Sequence, residues 1–246
     1  MKITKAPKVV EYYDNRVKEI FHSGRKIPEI QYSSKRTQFH LSDLTGLCLL
    51  QPYYHRVLQN PPMPSSDSCW RFLDGRNFER SIASELPPVT LDGIVGTVDD
   101  KIEVDGEEGL VEIKWTKDTC EVDPLISHED WIRRMKGYLQ MYNRNWMWLF
   151  VQFVAGNLMG YAPWISGFKN PEKYIPPVRK AWRIEFDNKE LEANWVEVVE
   201  CKEMMEKCVR DVTPPDFEVV KRYRPSWICR YCHCKLVCEL FEAENL

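Results

Sequence analysis

The stretch GTVDDKIEVDGEEGLVEIK, residues 96–114, constrains the fold of this chain more than any other. Asp105-Gly106 is a hairpin signal, because the tightest two-residue turns need positive φ at their centre, and apolar residues alternate with charged ones on both sides of it. The reading is two antiparallel strands, roughly 97–104 and 109–115. Glu112 and Lys114 lie two residues apart on the second strand and share one face, while Val111 and Ile113 take the other. Asp99, near the start of the partner strand, reaches the face of Glu112 and Lys114, which is expected to look onto solvent. Two carboxylates and an ammonium gathered there fit a hard cation held beside a phosphate. The plainer alternative is a solvated outer face without chemistry.

The 246 residues suffice for one large domain or two small ones, and 43% hydrophobic content supports a sizeable core. A net charge of −3 excludes a global basic field, so any nucleic-acid contact must come from a local positive groove. The opening MKITKAPKVVEYYDN has no apolar signal segment, and the longest apolar run, Trp146 to Ala155, contains Gln152 and is too short for a bilayer. A soluble, cytoplasmic protein with no membrane partner is expected.

Residues 8–22 read as a helix with Tyr13, Val17, Ile20 and Phe21 inward and Gly24 as its stop, followed by a basic linker to about Gln38. Ser42 caps a second helix bearing Leu44, Leu47 and Cys48, which Pro52 bends or restarts. A helix from Ser68 to Leu86 has an inner stripe of Phe72, Gly75, position 79, Ile82 and Leu86. Position 79 is a glutamate, and a carboxylate on a buried face is costly unless paired, protonated or cation-bound; a one-residue slip of the pattern would instead expose it. A strand is expected around Leu91–Val95, ahead of the hairpin. Glu129 to Asn143 reads as a helix with Trp131, Met135, Leu139 and Tyr142 inward. Its other side carries Arg133, Lys136, Gln140 and Arg144, a stripe suited to a phosphate backbone or simply a solvated face. WMWLFVQFV at 146–154 reads as a central strand buried on both faces, and Ala181 to Phe186 as another. Asn188 caps a long helix to about Val212, in which Cys201 and Cys208 are core residues rather than ligands. The class is α/β with a central mixed sheet flanked by helices.

Four of the nine cysteines fall within WICRYCHCKLVC at 227–238. Cys229-x2-Cys232 can bite one metal, Cys238 adds a third thiolate, and Cys48 is the natural remote fourth. Four thiolates suit zinc, to which His233 could add a donor, as well as an iron–sulfur cluster.

In this order the pieces resemble the RecB-like branch of the PD-(D/E)XK nucleases, and within it the CRISPR-associated exonucleases that carry an iron–sulfur cluster. Ser42-Asp43-Leu44 to Cys48 resembles the N-terminal cysteine segment, and Gly75-x-x-x-Glu79 the first RecB motif. Gly96-Thr97-Val98-Asp99 with Glu112-Ile113-Lys114 is similar to the metal-binding core, Gln140 to the glutamine motif, and Cys229, Cys232 and Cys238 to the C-terminal spacing. The likeness spans about residues 42–238, a single nuclease domain over 1–246 with an N-terminal helical segment 1–60, a core 68–186 and a C-terminal helix and cysteine tail 188–246. Three departures stand out: Glu79 where the family often has His, Arg144 where Tyr often follows the glutamine by four, and Leu49 where Pro often follows the first cysteine.

The resemblance implies a restriction-endonuclease-like core whose Glu79, Asp99 and Glu112, with the Ile113 carbonyl, hold Mg²⁺ or Mn²⁺. Lys114 and Gln140 would complete the catalytic set, with Arg133, Lys136, Arg144 and Tyr142 on DNA. It further implies a [4Fe–4S] cluster on Cys48, Cys229, Cys232 and Cys238 that joins the two ends of the chain, with Cys234 left outside it. The implied activity is exonucleolytic cleavage of single-stranded DNA or DNA ends, trimming DNA for CRISPR spacer integration in antiviral defence. CRISPR integrase proteins and further copies of the chain are the expected partners, in a prokaryotic cell or its virus. The alternatives are a catalytically inactive iron–sulfur DNA-binding or assembly subunit of the same fold, and a zinc-ribbon-like interaction protein.

Overall fold

A computed structural model describes residues 1–23, 38–46, 48–62, 66–84, 86–116, 128–154, 178–216, 220, 229 and 232–244. The basic linker, Gly24, Leu47 and the side chains of Phe21 and Phe72 lie outside the described residues. The strands are β1 (Lys2–Lys5), β2 (Phe39–His40), β3 (Val89–Leu91), β4 (Ile94–Gly96), β5 (Asp100–Val104), β6 (Glu107–Thr116), β7 (Trp146–Phe153) and β8 (Val178–Glu185). The helices are α1 (Pro7–Ser23), α2 (Leu41–Thr45), α3 (Leu50–Val57), α4 (Ser66–Ile82), α5 (Glu129–Met141), α6 (Asn188–Asp211) and α7 (Lys235–Glu244).

Five strands form one mixed sheet in the order β1-β8-β7-β6-β5, and β2-β4-β3 form a second, small one. In the large sheet β6 and β7 run parallel, with α5 between them in sequence, and every other pair is antiparallel. β7 is the central strand, as its continuous apolar run requires, and alternate residues feed two cores. Met147, Leu149, Val151 and Phe153 join Leu110 and Ile184 against Met135 and Leu139 of α5 and Leu191, Val198 and Met205 of α6. Trp148 and Phe150 join Ile102, Val111, Ile113 and Ala181 against Val9 and Tyr13 of α1 and Ile82 of α4. Helices thus cover both faces of the sheet. Close approach of α5 to α2 depends on Gly137, where a Cβ would sit 2.6 Å from Leu41 Cδ1.

The strand expected at Leu91–Val95 is a hairpin. Asp92-Gly93, both at positive φ, turns β3 into β4 just as Asp105-Gly106 turns β5 into β6. β1 and β2 were not expected; four and two residues are too short to display a period. Helix ends also shift for identifiable reasons. α4 stops at Ile82 rather than Leu86 because the Ser84 amide donates to Asp100 Oδ1 (3.1 Å) instead of continuing the helical ladder. His40, not Ser42, precedes the first turn of α2, where Asp43 accepts from the His40 amide (3.1 Å). Asp187, one residue before Asn188, caps α6 in a reciprocal pair with Glu190. α5 ends at Met141, with Asn143 left-handed (φ 50) and the Arg144 amide bonded back to Leu139. Val17 is 41% exposed rather than inward, since Val9, Tyr13 and Arg16 form the face of α1 that turns to the sheet.

Asp100 ties these parts together. It is fully buried, and its carboxylate accepts from Tyr13 Oη (2.9 Å), Arg16 Nη1 (3.2 Å) and the Ser84 amide (3.1 Å). Breaking a buried charge pair from one side leaves the partner charge uncompensated, at about 3–5 kcal/mol. Asp100→Ala is therefore expected to lower the melting temperature by roughly 6–20 °C. Asp100→Asn, which keeps an acceptor, should lose less. Melting of Asp100→Ala within a degree or two of the unsubstituted chain would show that this network carries no stability.

Candidate active site and cysteine centre

The register of β5 and β6 creates the site. Their last pair is Asp100 with Val111, yet β6 continues to Thr116 along β7. Among the described residues, the edge of β6 towards β5 has no strand partner from Glu112 onward. Asp99, where the chain has left the ladder, fills the gap: its Oδ2 accepts from the Ile113 amide at 2.7 Å. The Ile113 carbonyl accepts from Lys114 Nζ at 3.2 Å. Both backbone polar groups of Ile113 thus serve the site rather than a sheet ladder.

Glu112 and Lys114 do share a face, but it is not solvent. It is the face of Leu110, roofed by α5, and Glu112 is 1% exposed. Its carboxylate contacts Lys114 and lies 3.8 Å from Arg134 Nη1, both through Oε1. Oε2 has no hydrogen-bond partner among the described residues. Lys114 Nζ also lies 3.8 Å from Asp99. Glu79, on α4, is half-buried within the electrostatic reach of Lys114 and Glu112, and it lines a cleft with Ser84, Thr97 and Asp99. The inner stripe read for α4 is therefore right about Glu79.

Three carboxylates here face Lys114 and Arg134, with Arg76 and Arg80 of α4 also acting on Glu79. Burial, then the charge of Glu112, pushes Asp99 well above the ordinary carboxylate range, against the pull of Lys114. Glu79 is raised by burial and by Glu112, with Lys114 opposing. Burial works against the Lys114 ammonium, but Glu112 and Asp99 outweigh it and hold the proton more tightly than usual. An orphaned carboxylate oxygen beside two carboxylates with raised pKa is the donor chemistry that a hard divalent cation satisfies.

On α5 the structure selects different residues from the expected stripe. Arg134 and Tyr138, one helical turn apart, overlook the carboxylates; burial and the charges of Glu112 and Asp99 raise the Tyr138 pKa well above that of a free phenol. Gln140 follows Tyr138 by two residues, roughly 200° around the axis, and so turns away from them. Arg133 is only 8% exposed, and its carbonyl accepts from Asn194 of α6. Lys136 lies 3.7 Å from Glu190, and Arg144 pairs with Glu108 (3.4 Å). Tyr142 is half-buried beside the core. The four residues do not form one solvent-facing basic stripe, because α6 covers part of the side that the periodicity assigned to water. Arg134 was missed since it neighbours Arg133 and one register choice excludes the other.

A second constellation lies at the far end of the chain. Cys48, Cys234 and Cys238 are buried, and the Cys234 thiol bonds Cys232 and feels the charges of Cys238 and Cys48. The sequence interval between Cys48 and the tail is therefore closed in space, and Cys234, expected outside, lies among the others. Hydrogen bonds from the Cys234 thiol and the Gln51 amide (3.3 Å) lower Cys232 to about 5 despite its burial. The Cys229 carbonyl accepts from the Cys232 amide, the tight turn needed for a CxxC bite. Tyr54 hydrogen-bonds Cys238. His55 and His233 meet Nε2 to Nε2 at 3.0 Å, and burial, then His233, lower the His55 pKa. Cys201 and Cys208 pack in the core.

Among the described residues no helix is long and apolar enough to cross a membrane. No protein-family model and no curated protein matches the chain. A solved structure described as "Crystal structure of SSO0001" is similar at a TM-score of 0.39 and 13% identity, over 94% of this chain and 95% of that one.

Proposed function

We propose that this chain is a metal-dependent DNA nuclease of the PD-(D/E)XK type, an exonuclease on single strands or DNA ends whose products serve CRISPR spacer integration. The observation that carries the reading is the orphaned, fully buried Oε2 of Glu112, gathered with Asp99, Glu79 and Lys114 at an open strand edge. Glu79, Asp99, Glu112 and the Ile113 carbonyl would hold Mg²⁺ or Mn²⁺, which supplies Lewis acidity towards a phosphodiester. Asp99 is pre-aimed by the Ile113 amide. Lys114 keeps its proton, so its part is to offset charge developing on the phosphate rather than to act as general base. Arg134 provides a second fixed cation, and Tyr138, held neutral, a hydroxyl donor. Cys48, Cys229, Cys232 and Cys238 would carry a [4Fe–4S] cluster that staples α3 to the tail, giving a brown protein.

Glu112→Ala and Lys114→Ala are expected to abolish cleavage of 5′- and 3′-labelled oligonucleotides in Mn²⁺. Near-normal cleavage by both would leave this site without a catalytic role. Arg134→Ala should lower turnover at least about tenfold, the scale of one lost transition-state contact, and Gln140→Ala by less. The reverse ranking would restore the register in which Gln140 faces substrate.

Asp99 supplies a pH test. Its folded pKa is raised above the unfolded value, so its contribution to stability is complete below the unfolded pKa and is lost as pH rises through the folded one. Without divalent metal, the melting temperature should fall as pH rises from the unfolded carboxylate value of about 4 towards the raised folded one, and Asp99→Asn should flatten that slope while abolishing cleavage. Mn²⁺ at about 100 times its dissociation constant should raise melting at pH 7 by roughly 5–10 °C in the unsubstituted chain and far less in Asp99→Asn. An equal rise in both would move the cation elsewhere.

A further inference from the structure

Cys234, which hydrogen-bonds Cys232, also stands beside two histidines that the four-cysteine set does not use. His55 projects from α3, while His233 and Cys234 occupy the turn that leads into α7, 178 residues further on. One ring nitrogen of each histidine and Cys234 Sγ all lie within 4.8 Å of one another. Cys234 is fully buried, His233 half-buried and His55 exposed, so the triangle spans from core to surface. A tetrahedral ion with bonds of about 2.0–2.1 Å to imidazole nitrogen and 2.3 Å to sulfur needs donor atoms roughly 3.3–3.6 Å apart. The 3.0 Å between the imidazoles meets that spacing after a shift of a few tenths of an ångström. Without an ion, the two facing nitrogens can share only one proton and must adopt opposite tautomers.

We propose that His55, His233 and Cys234 bind a mononuclear zinc-class ion, separate from the magnesium-class site at Asp99 and from the four-cysteine set. Two imidazoles and a thiolate select a borderline-soft metal such as Zn²⁺ or Co²⁺ over Mg²⁺ or Mn²⁺. The ion ties α3 to the turn before α7 through side chains that an iron–sulfur cluster does not need. Its presence is independent of whether the chain cuts DNA.

The test uses the full chain with its iron and sulfide retained, washed free of loosely held divalent ions and titrated with Co²⁺ in difference spectra, then with Zn²⁺ in competition. One equivalent of Co²⁺ should give the visible d–d bands of tetrahedral cobalt with a thiolate charge-transfer band, and Zn²⁺ should erase both. His55→Ala and His233→Ala should each weaken Co²⁺ binding at least about tenfold, and Cys234→Ser should remove the charge-transfer band. The two histidine variants should keep the iron and sulfide content of the purified chain. His55 is exposed, so His55→Ala tests the ion without disturbing the core, and circular dichroism verifies its fold. Full cobalt affinity in both histidine variants would overturn the site and leave a hydrogen-bonded histidine pair.

Discussion

The β5-side edge of β6 beyond Val111, which no strand covers among the described residues, is the constraint from which the site follows. A strand edge roofed by helices cannot leave its amides to water, and a buried N–H without a partner costs about as much as a lost hydrogen bond. Asp99 meets that need at Ile113 with a side chain where a neighbouring strand would offer a carbonyl. Because the acceptor is a carboxyl group rather than a peptide, the repair sets an ionisable group beside Glu112, which disfavours its charge. The remaining parts follow: Lys114 within reach of both carboxylates, α4 ending early so that Glu79 flanks them, and Arg134 reaching down from α5.

Asp99 and Asp100 are adjacent and opposite in duty. Asp100 points to the α1 side, where a tyrosine, an arginine and a backbone amide satisfy it. Asp99 points to the cleft, where other carboxylates oppose its charge. One residue of strand pleat separates a stabilising carboxylate from one that works against stability. Buried like charges are tolerated when the surrounding packing over-determines their positions, and here two cores grip the strands on either side.

Much of this was legible beforehand. The Asp-Gly turn, the shared face of Glu112 and Lys114, the inward Glu79 and the doubly buried β7 are local patterns, set by turn chemistry and by periods of two and 3.6 residues. The depth of that shared face was not legible, since alternation tells which residues lie together but not what roofs them. Arg133 and Arg134 pose the same difficulty on a helix: adjacent like residues carry no phase, and only the packing of α6 on α5 decides which one looks at Glu112. Cys234 was set aside because spacing rules count bites along the chain, whereas its neighbour across the gap, Cys48, is remote in sequence. The structure brings Asp99, Glu112, Lys114 and Glu79 together as read, and it separates the basic stripe.

The closure of Cys48, Gln51 and His55 onto the tail has a consequence during synthesis. Gln51 and Cys232 are 181 residues apart, which a ribosome takes roughly 10–40 s to traverse. Throughout that interval the thiol of Cys48 and the rings of Tyr53 and Tyr54 lack the segment that finally buries Cys238 and Cys234 against them. The nascent chain must therefore carry an apolar, thiol-bearing surface through that interval, until the segment that seals it emerges.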